Sequence, residues 1–320
     1  MGEALLTVRG LKTCFRRRGR EVRAVDGVDL AVWPGQIVCI VGESGSGKSV
    51  TGLSIMRLLP KTNCKITGEV NFAGRDLLGL TDSEMTDVRG NHIAIIFQEP
   101  MTALNPVLTI GKQMTEVLLR HRRLSKPEAM RKAVEMLTFA GMPRAGDALH
   151  TYAHQLSGGL RQRVTIAMAM LCEPKLLIAD EPTTALDVTI QAQVLELMQR
   201  MRHEFHTSII LITHDLSVVA ETADHVTVMY AGQVVESVGA DELFRQPRHP
   251  YTMALMDSIP SIDEEKETLY SIPGMVPDPA DMPPGCRFAE RCHMAVADCF
   301  QGMPELREVG PGHLVRCIVA

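Results

Sequence analysis

The sequence has 320 residues and no apolar run long enough to cross a membrane as a helix. A spanning helix needs about 20 consecutive apolar residues, and the longest candidates are interrupted by Glu173-Pro174 or by His214-Asp215. The first residues, from Met1 to Ala4, also lack the charged and apolar segments of a secretory leader. We therefore expect a protein that is made and kept in the cytosol, without a membrane span of its own.

A large net charge is missing as well. The formal net charge is −5 at pH 7, so no basic surface field indicates a nucleic-acid partner. A local basic run, Arg16-Arg17-Arg18-Gly19-Arg20, lies between two predicted strands, and we interpret it as a solvated hairpin tip. In a cytosolic protein, the 8 cysteines are not expected to form structural disulfides.

A glycine-rich octapeptide is the strongest motif of the chain: Gly42-Glu43-Ser44-Gly45-Ser46-Gly47-Lys48-Ser49. It follows the apolar run Ile37–Val41 and precedes a helical pattern from Val50 onward, which is the order typical of a phosphate-binding loop. The glycines let successive N–H groups point at phosphate oxygens, and the helix adds the positive end of its dipole. Lys48 can reach the β and γ phosphates, and the Ser49 hydroxyl can ligate Mg²⁺.

Apolar strands alternate with helical segments along the chain, which predicts an α/β fold around a buried parallel sheet. Four polar residues follow such strands, namely Gln98, Asp180, Glu181 and His214. Because open α/β sheets bind ligands at the carboxyl ends of their strands, we expect the chemistry at one sheet edge.

Each of these residues has a predicted role. Asp180 is placed to hold Mg²⁺, and Glu181 to orient and polarise the attacking water. Two adjacent carboxylates raise one pKa unless a cation is near, and Mg²⁺ would be that cation; an acidic helix cap is the alternative. Gln98 is expected to reach the metal and the water, and His214 to hydrogen-bond the γ-phosphate.

Ser157-Gly158-Gly159 begins a second helical segment and offers a hydroxyl, two glycines and a helix N-terminus, which together indicate a second anion site. One chain has one γ-phosphate to hold, so we assign this site to the nucleotide of a partner subunit, in a dimer with ATP at its interface.

Phe15 stands out in a chain with 4% aromatic residues. Its ring either stacks on adenine or packs at a sheet edge.

Together these residues resemble the nucleotide-binding subunits of ABC transporters. The matching motifs are Walker A (Gly42–Ser49), Walker B (Leu176–Asp180), the signature (Leu156–Gln162), the Q-loop (Gln98), the D-loop (Ala185-Leu186-Asp187) and the H-loop (His214). Ala185 replaces the serine common in the D-loop. The resemblance covers about residues 1 to 245. It implies an ABC-type P-loop ATPase domain over 1–250: a RecA-like parallel sheet core, an N-terminal antiparallel β subdomain and a helical subdomain at about 100–165.

The resemblance also implies the site residues. It implies ATP binding by Phe15, Gly42, Ser44, Gly45, Ser46, Gly47, Lys48, Ser49, Val50, Gln98 and Asp180, with Mg²⁺ on Ser49, Gln98 and Asp180. Glu181 and His214 would be catalytic. Ser157, Gly158, Gly159 and Gln162 would contact the ATP of the partner subunit, and Asp187 would act in the D-loop.

The resemblance extends further, to the oligopeptide and dipeptide importers. It is carried by Ile96–Pro106, Leu177–Thr189, Met229–Glu236 and the segment from His249-Pro250-Tyr251 to Pro284-Gly285-Cys286. The component usually called D, which pairs with a non-identical F component, is the most similar. This implies peptide import driven by ATP at the cytoplasmic face of the cell membrane, with two membrane permease subunits and an extracytoplasmic peptide-binding protein. A nickel chelate or glutathione as substrate stays open, and so does an ABC ATPase acting on DNA or the ribosome.

Residues 251–320 are predicted to form a small proline-rich module that contains Cys286, Cys292, Cys299 and Cys317. Four thiols in a core-poor module indicate a metal. Their spacing matches neither a zinc ribbon nor a ferredoxin run, so zinc, an iron–sulfur cluster and unligated thiols stay open. The resemblance to the peptide importers favours a structural [4Fe–4S] cluster. Arg287 and Arg291 would offset its negative charge or be solvated.

Overall fold

The computed structural model describes residues 2–17, 19–98, 103–184, 186–258 and 271–320. The chain divides into two compact units: unit 1 comprises Met1–Trp33, Ile37–Leu78 and Ile212–Ala320, and unit 2 comprises Pro34–Gln36 and Gly79–Leu211. Two parts of the predicted motifs, residues 99–102 after the Q-loop glutamine and Ala185 of the D-loop, lie outside the described residues.

Unit 1 begins with an antiparallel sheet, with strand order β2-β1-β4-β5. Its strands are β1 (Leu6–Arg17), β2 (Arg20–Val32), β4 (Cys64–Phe72) and β5 (Arg75–Asp76). Arg17 faces Arg20 across the first hairpin. Arg16, Arg17 and Arg20 of the basic run therefore lie at the hairpin end of these strands, as predicted, whereas Arg18 is outside the described residues. The expected N-terminal antiparallel subdomain is confirmed.

A second group of strands in unit 1 has the order β11-β12-β10-β9-β3. Its members are β3 (Ile37–Val41), β9 (His225–Tyr230), β10 (Gln233–Gly239), β11 (Arg307–Gly310) and β12 (His313–Val315). β3 and β9 are parallel, with Val38 opposite His225, and the remaining pairs are antiparallel. The predicted turn at Ala231-Gly232 is present, and both residues have positive φ, 45° and 85°.

The helices of unit 1 are short and connect these strands. They are α1 (Lys48–Ile55), α8 (Leu216–Thr222), α9 (Ala240–Arg245) and α10 (Pro250–Asp257), with 3₁₀ turns at Ala289–Arg291 and Ala297–Phe300. Strand β8 (Ser208–Thr213) contains the division between the two units.

Unit 2 contains the predicted helical insertion. Its elements are α2 (Asp82–Val88), β6 (Ile93–Ile96), α3 (Ile110–His121), α4 (Lys126–Phe139), α5 (Ala145–Ala148), a 3₁₀ turn (Ala153–Gln155), α6 (Gly158–Met170), β7 (Leu176–Asp180) and α7 (Val188–Phe205). β6 and β7 are parallel. Helix α4 begins where the sequence predicts, because Glu128 accepts a hydrogen bond from the backbone N–H of Ser125 at 2.7 Å. Within the described part of the chain, no helix has the length and apolar character to span a bilayer.

The C-terminal segment, residues 271–320, belongs to unit 1. The backbone N–H of Arg316 donates to the carbonyl of Val235 at 2.8 Å, and β12 extends the sheet next to β10. The sequence predicts a domain boundary between residues 250 and 251. This position lies inside unit 1, and the division into two domains there stays a prediction. Strands β11 and β12 were not predicted, because segments of 3 and 4 residues carry too little periodicity.

A buried carboxylate joins the C-terminal segment to the sheet. Glu236 is 0% exposed and accepts hydrogen bonds from the backbone N–H groups of Arg248 and His249, at 2.7 and 3.0 Å. The ring of His313 lies 2.7 Å from the same carboxylate. A buried charge is tolerated only when it is hydrogen-bonded in this way, so Glu236 fixes the start of α10 and strand β12 against β10.

His249 should make stability depend on pH. Burial lowers its pKa to about 3, and its Nδ1 accepts a hydrogen bond from the N–H of Tyr251 at 3.0 Å. The unfolded chain therefore binds a proton below about pH 6.5 that the folded chain does not, so this contribution to stability is full above that pH and falls as pH falls. Between pH 7.5 and 5, the natural chain should lose about 2 kcal/mol more unfolding free energy than a His249→Asn variant.

Urea unfolding at the two pH values measures this difference. Asparagine keeps an acceptor at the N-terminus of α10 without a titrating ring. The matched control is His203→Asn, on an exposed position of α7, for which the pH dependence should equal that of the natural chain. Equal pH dependence in the natural chain and the His249→Asn variant would contradict the assignment.

Candidate functional site

The phosphate-binding motif forms a tight loop between β3 and α1 in unit 1. All five residues of β3 are buried, and α1 begins at Lys48 directly after the loop. The loop is tied to the β9–β10 hairpin, because the N–H of Gly232 donates to the carbonyl of Ser46 at 2.9 Å. The predicted order of strand, loop and helix is therefore confirmed.

Two positions of this loop require glycine, because a different backbone carbonyl packs closely against each of them. Gly42 has φ of +149°, and a Cβ there would lie 2.1 Å from the carbonyl oxygen of Met229. Gly47 has φ of +97°, and its Cβ would lie 2.5 Å from the carbonyl oxygen of Ala24. Both conformations are rare for residues with a side chain, so the close backbone packing selects glycine.

Two polar side chains of the loop, those of Lys48 and Ser46, can contribute to binding an anion. The buried ammonium group of Lys48 donates to the carbonyls of Gly42 and Glu43, at 2.6 and 3.0 Å. Ser46 is fully buried, and its hydroxyl oxygen has no hydrogen-bond partner among the described residues. A buried polar atom without a partner is costly, so the loop fits a ligand that brings further polar groups.

In unit 2, the predicted acidic pair ends strand β7. Asp180 is 5% exposed, whereas Glu181 is partly exposed and has φ of 46°. A left-handed conformation costs a residue with a side chain about 1–2 kcal/mol. The strain falls on the residue that directly follows strand β7.

Glu181 is held by two side chains of unit 2. Gln98 donates from its amide nitrogen to the Glu181 carboxylate at 2.8 Å, and the Thr184 hydroxyl donates to the same oxygen at 2.9 Å. The sequence predicts that Gln98 lies near the attacking water, and the structure brings it to Glu181. Thr184 was not predicted; its position three residues after the acid is the only signal for it.

The Ser157-Gly158-Gly159 segment is the N-terminus of α6, as predicted, with Ser157 as the residue before the first turn. Arg161 supports the preceding turn by donating to the carbonyls of Ala153 and Leu156, both at 2.9 Å. Gln162 donates to the carbonyl of Pro182 at 2.7 Å and so connects this helix to the turn of Glu181.

A cavity of about 560 Å³ in unit 2 joins two of the predicted motifs. Ser157, Gly158 and Gly159 line it together with Asp187. Asp187 begins α7, where its carboxylate accepts a hydrogen bond from the N–H of Ile190 at 2.9 Å. Signature and D-loop residues, about 30 positions apart in the sequence, are thus on one surface.

Two further predicted residues lie in unit 1. His214 is exposed and directly follows β8. Phe15 is partly exposed and lies on β1, which pairs with β2 on one side and β4 on the other, so this strand is not at an edge. Its ring lines a cavity of about 210 Å³.

The four C-terminal cysteines belong to unit 1, and two of them, Cys286 and Cys299, are linked through their backbones. Burial raises the pKa of the Cys286 thiol, and the charges of Cys299, Cys317 and Cys292 raise it further. The N–H of Cys286 donates to the carbonyl of Cys299 at 2.7 Å. All eight cysteines are free thiols. Among the described residues, no group of three or more cysteine, histidine or acidic side chains has the geometry to hold a metal ion.

Arg287 and Arg291 have protein partners, so the expectation of solvated side chains is wrong. Arg287 forms an ion pair with Asp26 and also donates to the carbonyl of Ala231. Arg291 forms an ion pair with Glu43 of the phosphate loop. Their side chains are 8% and 5% exposed. Sequence reasoning missed both contacts, because more than 240 residues separate each pair.

Comparison with known proteins gives two family matches. The ABC transporter family matches residues 25–184. The family described as the C-terminal region of oligopeptide and dipeptide transporters matches residues 235–299. The two matches together cover most of both units.

Several curated proteins match over nearly their whole length. The oligopeptide transport ATP-binding protein AppD of Bacillus subtilis is 54% identical over 98% of this chain and 96% of its own. The dipeptide transport ATP-binding protein DppD of the same organism is 49% identical over 98% and 94%.

Solved structures with a similar fold are ATP-binding cassettes. A dimeric, post-hydrolysis structure of the cassette MJ0796 bound to ADP and Pi has a TM-score of 0.66 at 28% identity, covering 73% of this chain and 98% of that one. The structure of cbiO1 from Clostridium perfringens, part of the ABC transporter complex cbiONQ, has a TM-score of 0.65 at 25% identity, covering 77% of this chain and 92% of that one.

A methyl group at Gly47 should disrupt the phosphate loop. Gly47→Ala places Cβ 2.5 Å from the Ala24 carbonyl in a left-handed conformation, so we expect a loss of at least about 1–2 kcal/mol of unfolding free energy. ATP affinity should fall as well, because the loop must shift. Urea unfolding and ATP titration measure the two effects.

The control is Gly146→Ala, because Gly146 lies in α5 with open space around the new Cβ. Its stability should be unchanged or higher by up to about 1 kcal/mol. A Gly47→Ala variant that behaved like this control would show that the loop does not require glycine.

Proposed function

The chain belongs to the ABC transporter family, and we propose that it is the ATP-hydrolysing subunit of an importer for di- and oligopeptides. The observation that carries the proposal is the match of residues 235–299 to the oligopeptide and dipeptide transporter C-terminal region. Relatives named for oligopeptide and dipeptide transport align with 98% of the chain, so the similarity includes the segment beyond the ATPase core.

The phosphate loop would bind the ATP phosphates. Lys48 would exchange its bonds to the Gly42 and Glu43 carbonyls for bonds to phosphate oxygens, and the N-terminus of α1 would add its partial positive charge. Gly42, Ser44, Gly45, Ser46, Gly47, Ser49 and Val50 complete the binding segment. Phe15 would stack on the adenine ring.

Magnesium would be held by Ser49, Gln98 and Asp180. The hydroxyl, amide oxygen and carboxylate of these residues are the oxygen ligands that Mg²⁺ prefers, so the donor set fits. When bound, the ion would neutralise charge that develops on the phosphates during hydrolysis.

Glu181 would polarise the attacking water, with His214 holding the γ-phosphate. The hydrogen bonds from Gln98 and Thr184 support this role, since they hold the Glu181 carboxylate in one orientation. Its left-handed backbone supports the role too, because strain of this kind clusters at functional sites.

The cavity at the start of α6 would receive the nucleotide of a second subunit. Ser157, Gly158 and Gly159 line it with Asp187, and the helix N-terminus favours an anion. Gln162 is predicted to contact the same nucleotide, but its side chain is buried and bonds to Pro182, so it would support the surface from below. A similar cassette is dimeric with ADP and Pi bound, and we propose an F-type homologue of this chain as the partner.

The subunit pair would act on two membrane permease subunits at the cytoplasmic face of the membrane, with an extracytoplasmic protein that delivers the peptide. The ATPase would be a peripheral component, attached through the permeases. Substrate choice would lie in the binding protein and the permeases, so nickel chelates and glutathione are competitors in the test below.

We also propose a [4Fe–4S] cluster at Cys286, Cys292, Cys299 and Cys317. Three of these cysteines lie in the segment that matches the oligopeptide and dipeptide transporter C-terminal region, and four cysteine thiolates are the usual ligands of such a cluster. No group of metal-ligating side chains among the described residues is arranged around an ion, so the support for the cluster is the chemistry of the donor set alone. We assign it a structural role, with zinc as the alternative.

Peptide import should depend on Glu181. In vesicles that contain the permeases, an F-type subunit and the binding protein, ATP should drive uptake of labelled dipeptide. Glu181→Gln should still bind ATP, while hydrolysis and uptake fall at least about 100-fold, because the residue that activates water is lost. Lys48→Ala should lose ATP binding as well.

Glu204→Gln, on the exposed face of α7, is the matched control and should retain uptake. Unchanged hydrolysis in Glu181→Gln would remove its proposed role. If a nickel chelate or glutathione competes with uptake of the labelled dipeptide and unlabelled peptide does not, the competing compound would replace peptide as the assigned substrate.

Metal analysis tests the cysteine site. Protein purified without oxygen should be brown, absorb broadly near ~400 nm and contain about four irons per chain. Cys286→Ser should lose the colour, whereas Cys172→Ser, at a buried cysteine of unit 2, should keep it. One zinc without colour would assign the site to zinc, and neither metal would leave four ordinary thiols.

A further inference from the structure

Glu43, the second residue of the phosphate loop, contacts the C-terminal segment through its carboxylate. Arg291 donates to it from both terminal guanidinium nitrogens, at 2.7 and 3.0 Å. The Arg291 side chain is 5% exposed and that of Glu43 is 29% exposed. Two parallel hydrogen bonds between ionised groups fix both the position and the orientation of the carboxylate.

Arg291 is itself held in place. It donates to the carbonyl of Pro273 at 2.8 Å and to the Tyr230 hydroxyl at 3.2 Å. Its guanidinium carbon lies 5.7 Å from the ring centre of Tyr230 and 5.9 Å from that of Phe288, within the range of cation–π attraction. The arginine is therefore a fixed point to which Glu43 is attached.

Tyr251 holds the backbone of the same residue. Its hydroxyl accepts a hydrogen bond from the Glu43 N–H at 2.8 Å, and its buried ring packs against Tyr230 and Phe288. The Glu43 carbonyl in turn accepts from Lys48 at 3.0 Å. Arg291, Tyr251 and Lys48 thus all contact Glu43, so a substitution at Arg291 or Tyr251 can alter the position of a residue that contacts Lys48.

The ion pair also has an electrostatic consequence. Glu43 is a negative charge within a loop that binds phosphate groups, and a bare carboxylate there would repel the nucleotide. The adjacent guanidinium offsets this charge, and its burial keeps solvent from screening the pair.

We propose that Arg291 is a positioning residue for ATP binding, which holds Glu43, and with it the start of the phosphate loop, in the geometry that accepts the phosphates. The C-terminal segment is then a part of the nucleotide site in unit 1. This inference rests on the proposed assignment of the Gly42–Ser49 loop to the ATP phosphates.

Arg291→Gln should weaken binding of a fluorescent ATP analogue by about tenfold, because it removes two charged hydrogen bonds and leaves the Glu43 carboxylate uncompensated. The KM for ATP should rise in parallel while kcat stays within about twofold, since Arg291 touches no reacting atom. Adding Glu43→Gln to Arg291→Gln should recover most of the affinity, because the bare carboxylate is gone.

Arg316→Gln is the matched control. Arg316 also precedes a cysteine, and it joins the C-terminal segment to β10 through the carbonyl of Val234 without contacting the loop. Its affinity for the analogue should equal that of the natural chain, and iron and zinc should be measured in every variant.

An equal loss of affinity in Arg316→Gln would overturn the inference, and so would a double variant that recovers no affinity. If Arg291→Gln does not fold, Tyr251→Phe replaces it in the test, because this change removes the hydrogen bond between the Tyr251 hydroxyl and the Glu43 N–H. Unchanged affinity for the ATP analogue in Tyr251→Phe would also count against the inference. A natural chain that bound no ATP would instead overturn the assignment of the loop.

Discussion

The phosphate loop depends on backbone groups that pack against it too closely for any side chain. Gly42 and Gly47 approach the carbonyls of Met229 and Ala24, which belong to strands far apart in the sequence. The loop can therefore take its shape only when β2, β3 and β9 are in place. This constraint explains why residues from both ends of the chain form unit 1, and why the loop is a tertiary feature although its motif is local.

The position of the C-terminal segment also depends on contacts between residues far apart in the sequence, and here the contacts are made by charged side chains. Glu236 is buried and takes three hydrogen-bond donors from the start of α10 and from β12, and Arg287 and Arg291 reach Asp26 and Glu43. Removing one partner of a buried pair leaves an uncompensated charge. These contacts therefore specify how residues 271–320 lie on the rest of unit 1.

Unit 2 arranges its functional residues around one strained turn. Glu181 has left-handed backbone geometry, and side chains from three places converge on it or on the next residue: Gln98, Thr184 and Gln162. The signature helix and the acidic residue are thus connected through a single hydrogen bond to Pro182. A displacement of α6 would therefore act directly on this turn.

The local elements could be predicted from the sequence alone: the phosphate loop with its strand and helix, the hairpin at Ala231-Gly232, the α4 cap at Ser125 and the helix start at Ser157. Each depends on neighbours within a few residues, so spacing and residue type suffice. The contacts of Arg287 and Arg291 and the strands β11 and β12 depend instead on the tertiary structure. These join groups tens to hundreds of residues apart, and their free energy comes from burial and pairing that no local pattern records.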